Sequence, residues 1–317
     1  MLFRSNCMSG YKYLFGPVPS RRLGASLGVS PIPERTCNYS CVYCQLGRTL
    51  RMTNTRQEFF PLEEILAEFR EYLQGSIPFD VVTVVGEGEP TLYSRLGELI
   101  AGLKKETDKP VAVITNGALL YDAEMRRELM EADIVLPSLD AVTEEQYRKI
   151  DRPMGSIGFA EMAEGLRQFA REYQGQLWIE IMLVDGMNDS PEDIAAFKEF
   201  LGTIDYDRVY LNTPVRPPAE GFVHTSAPER IDLAARELGG ISIDQLTSGS
   251  FFSEVEDPYE AILSIARRHP MNQFEVESFL EAREIPADQR QALMERLGQD
   301  PGITVVPYKG IITYRVN

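Results

Sequence analysis

The sequence predicts an α/β fold: an open, partial (β/α)6 barrel of TIM-like type, followed by a small C-terminal domain of winged-helix type. Three observations predict it. Six apolar strand candidates alternate with amphipathic helix candidates between residues 23 and 211, and strands joined by helical crossovers pair in parallel. Six such units are too few to close an eight-stranded barrel. After Pro214 the alternation stops, and three short helices and a hairpin follow.

Each element has a local reason. Residues 10–19, rich in Gly, Pro and aromatics, read as an irregular arm, with Tyr11, Tyr13 and Phe15 as packing groups. A short apolar strand at 23–29 leads toward the cysteine-rich stretch. Leu62, Ile65, Leu66, Phe69 and Leu73 fall at helical spacing and predict a helix over 61–74. The β-branched run 81–85 has the character of a strand buried on both faces. A helix over 92–104, a strand over 111–114 and a helix over 121–131 follow. Next come a strand over 134–136, helices over 143–150 and 159–173, and a strand over 177–184. The barrel ends with a helix over 191–201 and a strand over 208–211. Residues 215–228 are proline-rich and connect to a helix over 228–238. Helices over 258–268, 273–282 and 287–297 precede strands at 303–306 and 311–314. The predicted boundaries are 1–225 for the barrel and its arm, 226–256 for a helical linker and 257–317 for the winged-helix-like domain.

Composition bounds the function. At 317 residues, with 44% hydrophobic and 25% charged residues, the chain can bury one large core and a small second one. A formal charge of −16 argues against a general polyanion-binding surface, which needs clustered Lys and Arg. Residues 1–7 hold no apolar run long enough for a signal peptide, and no later stretch reaches membrane-spanning length. A soluble, cytoplasmic protein with no membrane partner is the expectation. In that reducing compartment, closely spaced cysteines read as metal ligands before disulfides.

The chemistry concentrates in Cys37-Asn38-Tyr39-Ser40-Cys41-Val42-Tyr43-Cys44, which holds three of the four cysteines. Pro31 and Pro33 before it argue for a loop. Three thiols are one ligand short of an ordinary iron–sulfur cluster and one short of a closed zinc site. Either one iron stays open to a non-protein ligand, or His224 or His269 completes a zinc site, although both histidines read more readily as surface or linker residues. Turn-like motifs then recur after successive strands: Gly86-Glu87-Gly88-Glu89-Pro90, Thr115-Asn116-Gly117, Ser138-Leu139-Asp140, Asp185-Gly186-Met187-Asn188-Asp189 and Asn212-Thr213-Pro214. Each alone is ordinary turn composition. Together they mark the carboxyl ends of parallel strands, where such folds bind ligands. Glu89 suits a cationic amine, and Ser138 and Asp140 suit ribose hydroxyls.

This constellation resembles the radical SAM superfamily, whose signature is a CxxxCxφC loop, φ aromatic, after the first strand of a partial (β/α)6 barrel. Cys37, Cys41, Tyr43 and Cys44 match it. Gly88-Glu89-Pro90 matches the family's GGEP-like motif after the second strand, with Glu87 replacing its first glycine. The resemblance covers residues 12–215 and implies a 4Fe-4S cluster on Cys37, Cys41 and Cys44. The fourth iron would take the amino and carboxylate groups of S-adenosylmethionine (SAM). One electron would then cleave SAM to a 5′-deoxyadenosyl radical that abstracts hydrogen from a substrate. By the same resemblance, Tyr43 lies against adenine through its backbone, Gly88, Glu89 and Pro90 frame the methionine amine, and Asn116, Ser138 and Asp140 line the ribose and carboxylate. Arg152 is a candidate carboxylate or substrate contact. A one-electron donor such as flavodoxin or ferredoxin is implied.

Within the superfamily the stretches 16–24 and 36–45 look like the branch that includes wyosine-type tRNA-modifying enzymes. Those enzymes carry a second cluster on further N-terminal cysteines, whereas here only Cys7 lies outside the loop. Residues 257–317 hold nine Asp and Glu against seven Lys and Arg, a net −2, where a nucleic-acid reader shows a basic stripe. A small-molecule, peptide or protein substrate is therefore favoured over RNA, with an iron–sulfur winged-helix DNA regulator as the reading from another class. Arg21, Arg22, Arg35, Arg48 and Arg51 flank the loop and either attract an anionic group or pair with the abundant acids.

Overall fold

The structure, a computed structural model, describes residues 11–243, 251–253, 255–308 and 310–317. It opens with strand β1 (Leu14–Ser20), antiparallel to β2 (Gly24–Val29). A two-residue bridge, β3 (Thr36–Cys37) with β4 (Arg51–Met52), ties the two ends of the cysteine loop together. The parallel core continues through β5 (Val81–Val84), β6 (Val111–Thr115), β7 (Ile134–Pro137), β8 (Gln176–Met182) and β9 (Arg208–Asn212). Helices α1 (Leu62–Tyr72), α2 (Leu96–Glu106), α3 (Ala123–Leu129), α4 (Glu144–Ile150), α5 (Phe159–Glu172) and α6 (Pro191–Leu201) make the crossovers. α7 (Pro228–Leu238) and β10 (Ile241–Ser242) complete an eight-stranded sheet in the order β1-β2-β5-β6-β7-β8-β9-β10. Its ends do not meet, so it is a partial barrel, and the six central strands β2 to β9 are parallel as their alternation requires.

Side-chain alternation explains how this sheet makes a floor for a site. In β5, Val82 and Val84 face the helices and join Leu27, Ile65, Phe69, Leu99 and Val113 in the main core. Val81 turns to the other face, where Ala112, Ile134, Leu136, Trp178 and Tyr210 pack inside the barrel. Higher on that inner face the residues become polar. Ser26 and Thr83 are buried with their hydroxyls 2.6 Å apart, and Glu180 stands on β8 beyond them. The barrel is thus plugged by apolar groups at one end and polar at the other, the end where the loops gather.

Three sequence expectations change. The arm over 10–19 is in part a strand, because Pro17 and Pro19 sit in β1 at the sheet edge, where a missing donor is tolerated; Gly10 and Cys7 lie outside the described residues. The linker expected over 226–256 begins as barrel structure: Ile231, Ala234 and Leu238 of α7 join the main core, and β10 pairs with β9. Residues 244–250 and 254 of it lie outside the described residues. Finally, β10 was not anticipated, since two residues carry no periodicity.

The C-terminal unit contains α8 (Pro258–Ala266), β11 (Met271–Asn272), α9 (Gln273–Ala282), α10 (Ala287–Gln299), β12 (Ile303–Tyr308) and β13 (Ile311–Val316), the strands ordered β11-β13-β12 and antiparallel. Asn272 caps α9 by a capping box with Glu275. Its core of Tyr259, Ile262, Ile265, Phe279, Leu280 and Leu297 also takes in Phe15 and Val18 of β1. That shared packing seats the unit against the open side of the barrel.

Candidate functional site

The cysteine loop is shaped by backbone bonds to elements far along the chain. Ser40 and Val42 donate to the carbonyls of Asp151 and Ile150 at the end of α4, at 3.0 and 2.9 Å, and Met154 donates to Asn38 at 2.8 Å. On the other side Glu220 donates to the Val42 carbonyl at 3.0 Å. Val42 itself is buried with Ile150, Val184 and Val223. The loop is held like a clasp, and Cys37, Cys41 and Cys44 all line one cavity of about 410 Å³, within the size range of small-molecule sites.

All three thiols are free and burial pushes each one up. For Cys37 the Glu89 carboxylate adds to the effect, and for Cys41 Asp151 does. At Cys44 the nearby Arg315 and Arg35 partly offset the burial. Thiols that resist ionisation are poor nucleophiles; to become thiolates at this depth they need a cationic partner, which an iron centre supplies. Three soft donors on one loop, facing one cavity, fit a cluster with a non-protein fourth ligand. Among the described residues no three His, Cys, Asp or Glu side chains gather tightly enough for a single metal ion. His224 is exposed. His269, expected at the surface, is instead in the cavity wall against Arg216, its Nε2 2.5 Å from Nη2, because α8 ends beside the barrel mouth.

The strand-end groups surround the loop, but several are committed to one another. Gly88 and Tyr43 line the cavity, while Glu89, Pro90, Asn116, Ser138, Asp140 and Arg152 stand behind its wall. Gly88 is packed against the Thr36 carbonyl so closely that a Cβ would overlap it. The glycine therefore serves loop-to-loop packing. Glu89 is buried and accepts four hydrogen bonds: Thr91 N (3.0 Å), Thr91 Oγ1 (2.6 Å) and Thr115 Oγ1 (2.6 Å) reach Oε1, and Asn116 N (2.8 Å) reaches Oε2. Pro90 starts a single 3-10 turn capped by Glu89. Asn116 donates from Nδ2 to Asn38 Oδ1 at 2.7 Å and lies 3.6 Å from Cys37 Sγ, and Gly117 takes a φ of +74° that only glycine adopts easily.

Asp140 is likewise engaged. The Tyr43 hydroxyl donates to Oδ2 and Met182 N to Oδ1 at 2.7 Å, and burial pushes the carboxyl up to about 6. Ser138 is half-buried and bridges to Glu180. Arg152 does not enter the cavity: its Nη1 binds Glu220 at 2.5 Å, and Arg48 binds the same carboxylate at 2.9 Å through both Nε and Nη2. Asn188, in the motif after β8, donates to the carbonyls of Asp140 and Met182 at 2.8 Å each, which is a structural duty. Residues that sequence reasoning passed over include Asn38, fully buried with an unpartnered Nδ2, Asp151 beside Cys41 (3.8 Å), and Glu220. Only the placement of Asn38 between two ligands of the motif could have flagged it.

The far wall gathers Arg21 and Arg22 from the β1–β2 turn, Arg35 before β3, Glu87 after β5, Glu180 on β8, Arg216 after β9, and Phe251, Arg268, His269 and Glu275 from the C-terminal side. Arg22 pairs with Glu180, Arg216 with Glu275 at 2.9 Å, and Arg268 with Glu87 at 3.5 Å. The glycine-to-glutamate departure at Glu87 thus reaches the C-terminal unit.

Comparisons with known proteins agree with this geometry. The model of the radical SAM superfamily matches residues 32–198. A UPF0026 protein of Methanocaldococcus jannaschii is 32% identical over 314 residues, covering 96% of this chain and 95% of that one. The GTPase Obg of Brachyspira hyodysenteriae is 43% identical over 205 residues, 65% of this chain; the match spans only 30% of that protein's length. A radical SAM methyltransferase from Sphaerobacter thermophilus superposes with a TM-score of 0.55 at 18% identity, over 69% of this chain and 67% of that one, a likeness of fold. No helix among the described residues is long and apolar enough to cross a membrane. With the superfamily model matching more than half of its residues, the cysteine loop included, the chain belongs to the radical SAM superfamily, whose enzymes use a 4Fe-4S cluster and S-adenosylmethionine.

Proposed function

We propose that Cys37, Cys41 and Cys44 hold a 4Fe-4S cluster whose fourth iron takes SAM, and that the chain acts on a small-molecule or peptide substrate by hydrogen abstraction. The observation that carries this reading is the convergence of the three thiols of one loop on one cavity. Bound there, a cluster on Cys37, Cys41 and Cys44 would supply the one-electron chemistry that SAM-derived radical formation needs. The protein's part is placement and exclusion of water. The clasp of Ile150, Asp151 and Glu220 holds the cysteines in register. Glu89 fixes Thr115 and Asn116 from behind the wall, so the loop after β6 is preset beside Cys37. Tyr43 lines the cavity with its hydroxyl tethered to Asp140, and by the superfamily's pattern its backbone would lie against adenine. Arg152 braces the loop through Glu220 rather than touching substrate.

The C-terminal unit, which we read as a winged helix, is part of this site. It places Arg268, His269 and Glu275 in the cavity wall, which favours an enzyme over a free DNA-reading module. A cytoplasmic location and a flavodoxin or ferredoxin as electron donor complete the proposal. The test is anaerobic reconstitution with iron, sulfide, SAM and a strong reductant. The wild-type chain should form 5′-deoxyadenosine, and Cys37→Ala, Cys41→Ala and Cys44→Ala should each abolish it; turnover by any of the three would overturn the assignment.

A further inference from the structure

Burying charge is costly, and a buried ion pair is kept for stability only when its geometry is good. The cavity breaks that rule repeatedly. Its wall carries five arginines, Arg21, Arg22, Arg35, Arg216 and Arg268, against three carboxylates, Glu87, Glu180 and Glu275, with Arg35 also meeting Glu34 at 3.1 Å, in a chain of net −16. Glu87 and Arg268 are 6% and 8% exposed, yet they meet at 3.5 Å, and Glu87 Oε1 and Arg268 Nε make no hydrogen bond.

The arginines also come from separate segments. Arg22 lies on the turn between β1 and β2, Arg216 follows β9, and Arg268 follows α8. Chain segments do not bring three guanidinium groups to one half-buried chamber for packing, since apolar groups of the same volume would serve at lower cost. Guanidinium groups do match the planar or tetrahedral oxygens of carboxylate and phosphate. We propose that this chamber is the substrate subsite and that it takes a small molecule bearing carboxylate or phosphate groups, held between Arg22 of the barrel and Arg216 and Arg268 at the C-terminal side. The proposal rests on the radical SAM reading of the same cavity and names its substrate class. Burial lowers the affinity of Arg22, Arg216 and Arg268 for their protons, Arg22 to about 10, and an entering anion would relieve that penalty. The cavity, about 410 Å³, is on the scale of small-molecule sites, which excludes a folded partner.

The test uses the reconstituted full chain with SAM. Citrate, succinate, inorganic phosphate and pyrophosphate are titrated calorimetrically at low and at moderate salt, with spermidine as a cationic control. At least one anion should bind, more weakly at higher salt, and carboxylate against phosphate binding identifies the group recognised. Arg216→Gln and Arg268→Gln should each weaken that binding at least tenfold, and Arg268→Lys by less. Because Arg268→Gln leaves Glu87 buried alone, the double variant Glu87→Gln/Arg268→Gln keeps a neutral pair and should show the same loss. Absence of binding by every anion, or wild-type affinity in the double variant, would overturn the proposal. Iron content and 5′-deoxyadenosine formation of the wild-type chain are read in parallel, so a failure of the cluster assignment is distinguished from a failure of the anion subsite.

Discussion

Gly88→Ala separates two explanations of the most conspicuous glycine in the site. If the glycine exists so that a ligand can approach, a methyl there costs SAM affinity and leaves the apoprotein unharmed. The structure gives the other answer. A Cβ built on Gly88 overlaps the Thr36 carbonyl oxygen and comes within 3.0 Å of Ile32 Cγ2, and the same Thr36 oxygen accepts the Glu89 N–H at 3.1 Å. Both partners at the overlap are backbone, so neither can rotate aside. Relief requires the loop after β5 to lift from β3, which gives up that hydrogen bond, worth ~1 kcal/mol, and strains the packing by ~1–3 kcal/mol. The expected destabilisation is ~2–4 kcal/mol. For a chain of this size each kcal/mol moves the melting temperature by about 2–4 °C, so the apoprotein should melt roughly 4–16 °C lower. The assay is thermal unfolding followed by circular dichroism without iron or SAM. Cys37 follows Thr36 directly, so iron incorporation should fall as well. A variant that melts within a degree of wild type while losing SAM affinity would refute this reasoning.

Three more outcomes are expected. Glu220→Gln should release Arg48 and Arg152 and loosen the cysteine loop, costing about 1 kcal/mol because Arg48 is largely exposed; iron release to a chelator should be faster. Arg48 first and Arg152 second hold the Glu220 carboxyl below its usual range, so its contribution is present above about pH 4.3 and is lost as pH falls through the lower folded value. The wild-type and Glu220→Gln melting curves should therefore converge in acid. Asp140 has the opposite sign. Burial raises it to about 6, so its ionisation costs apoprotein stability as pH rises from about 4 toward that value. Tyr43→Phe removes the hydroxyl that eases this, and should destabilise the apoprotein by ~1.5–3 kcal/mol at pH 8 and by less at pH 5, measured by urea unfolding. As a control, Arg148→Ala, which breaks an exposed pair with Glu144 on α4, should change stability by less than ~0.5 kcal/mol.

What could be read from the sequence were the features carried by neighbours in the chain. The strands of the barrel were visible because β-branched runs such as 81–85 are local, and the loop because three thiols fall within eight residues. The roles of single site residues were less legible, since they depend on partners supplied by distant segments. Glu89 reads as a free carboxylate until Thr115 and Asn116 are seen to reach it from β6. Arg152 reads as a substrate contact until Glu220, 68 residues later, takes its guanidinium. The arm over 10–19 failed as an irregular segment for a related reason: prolines argue against a strand only where both sides are paired, and β1 has one open edge.

The same logic explains why the C-terminal unit was read as an appendage. A sequence shows its helices and hairpin as a separate pattern with a separate charge, and nothing local says which way it faces. Packing decides that. Phe15 and Val18 of β1 complete its core, Arg268 donates to the Lys12 carbonyl at 2.7 Å, and Tyr308 donates to the Pro214 carbonyl at 2.7 Å. These contacts fix the end of α8 over the barrel mouth, so Arg268 meets Glu87, the residue that departs from the superfamily's usual glycine. A glutamate at that position has no use in the barrel alone, where it would be an unpaired buried charge. It becomes tolerable only with an arginine delivered from outside the barrel, which makes Glu87 and Arg268 a matched pair at the junction of the two units.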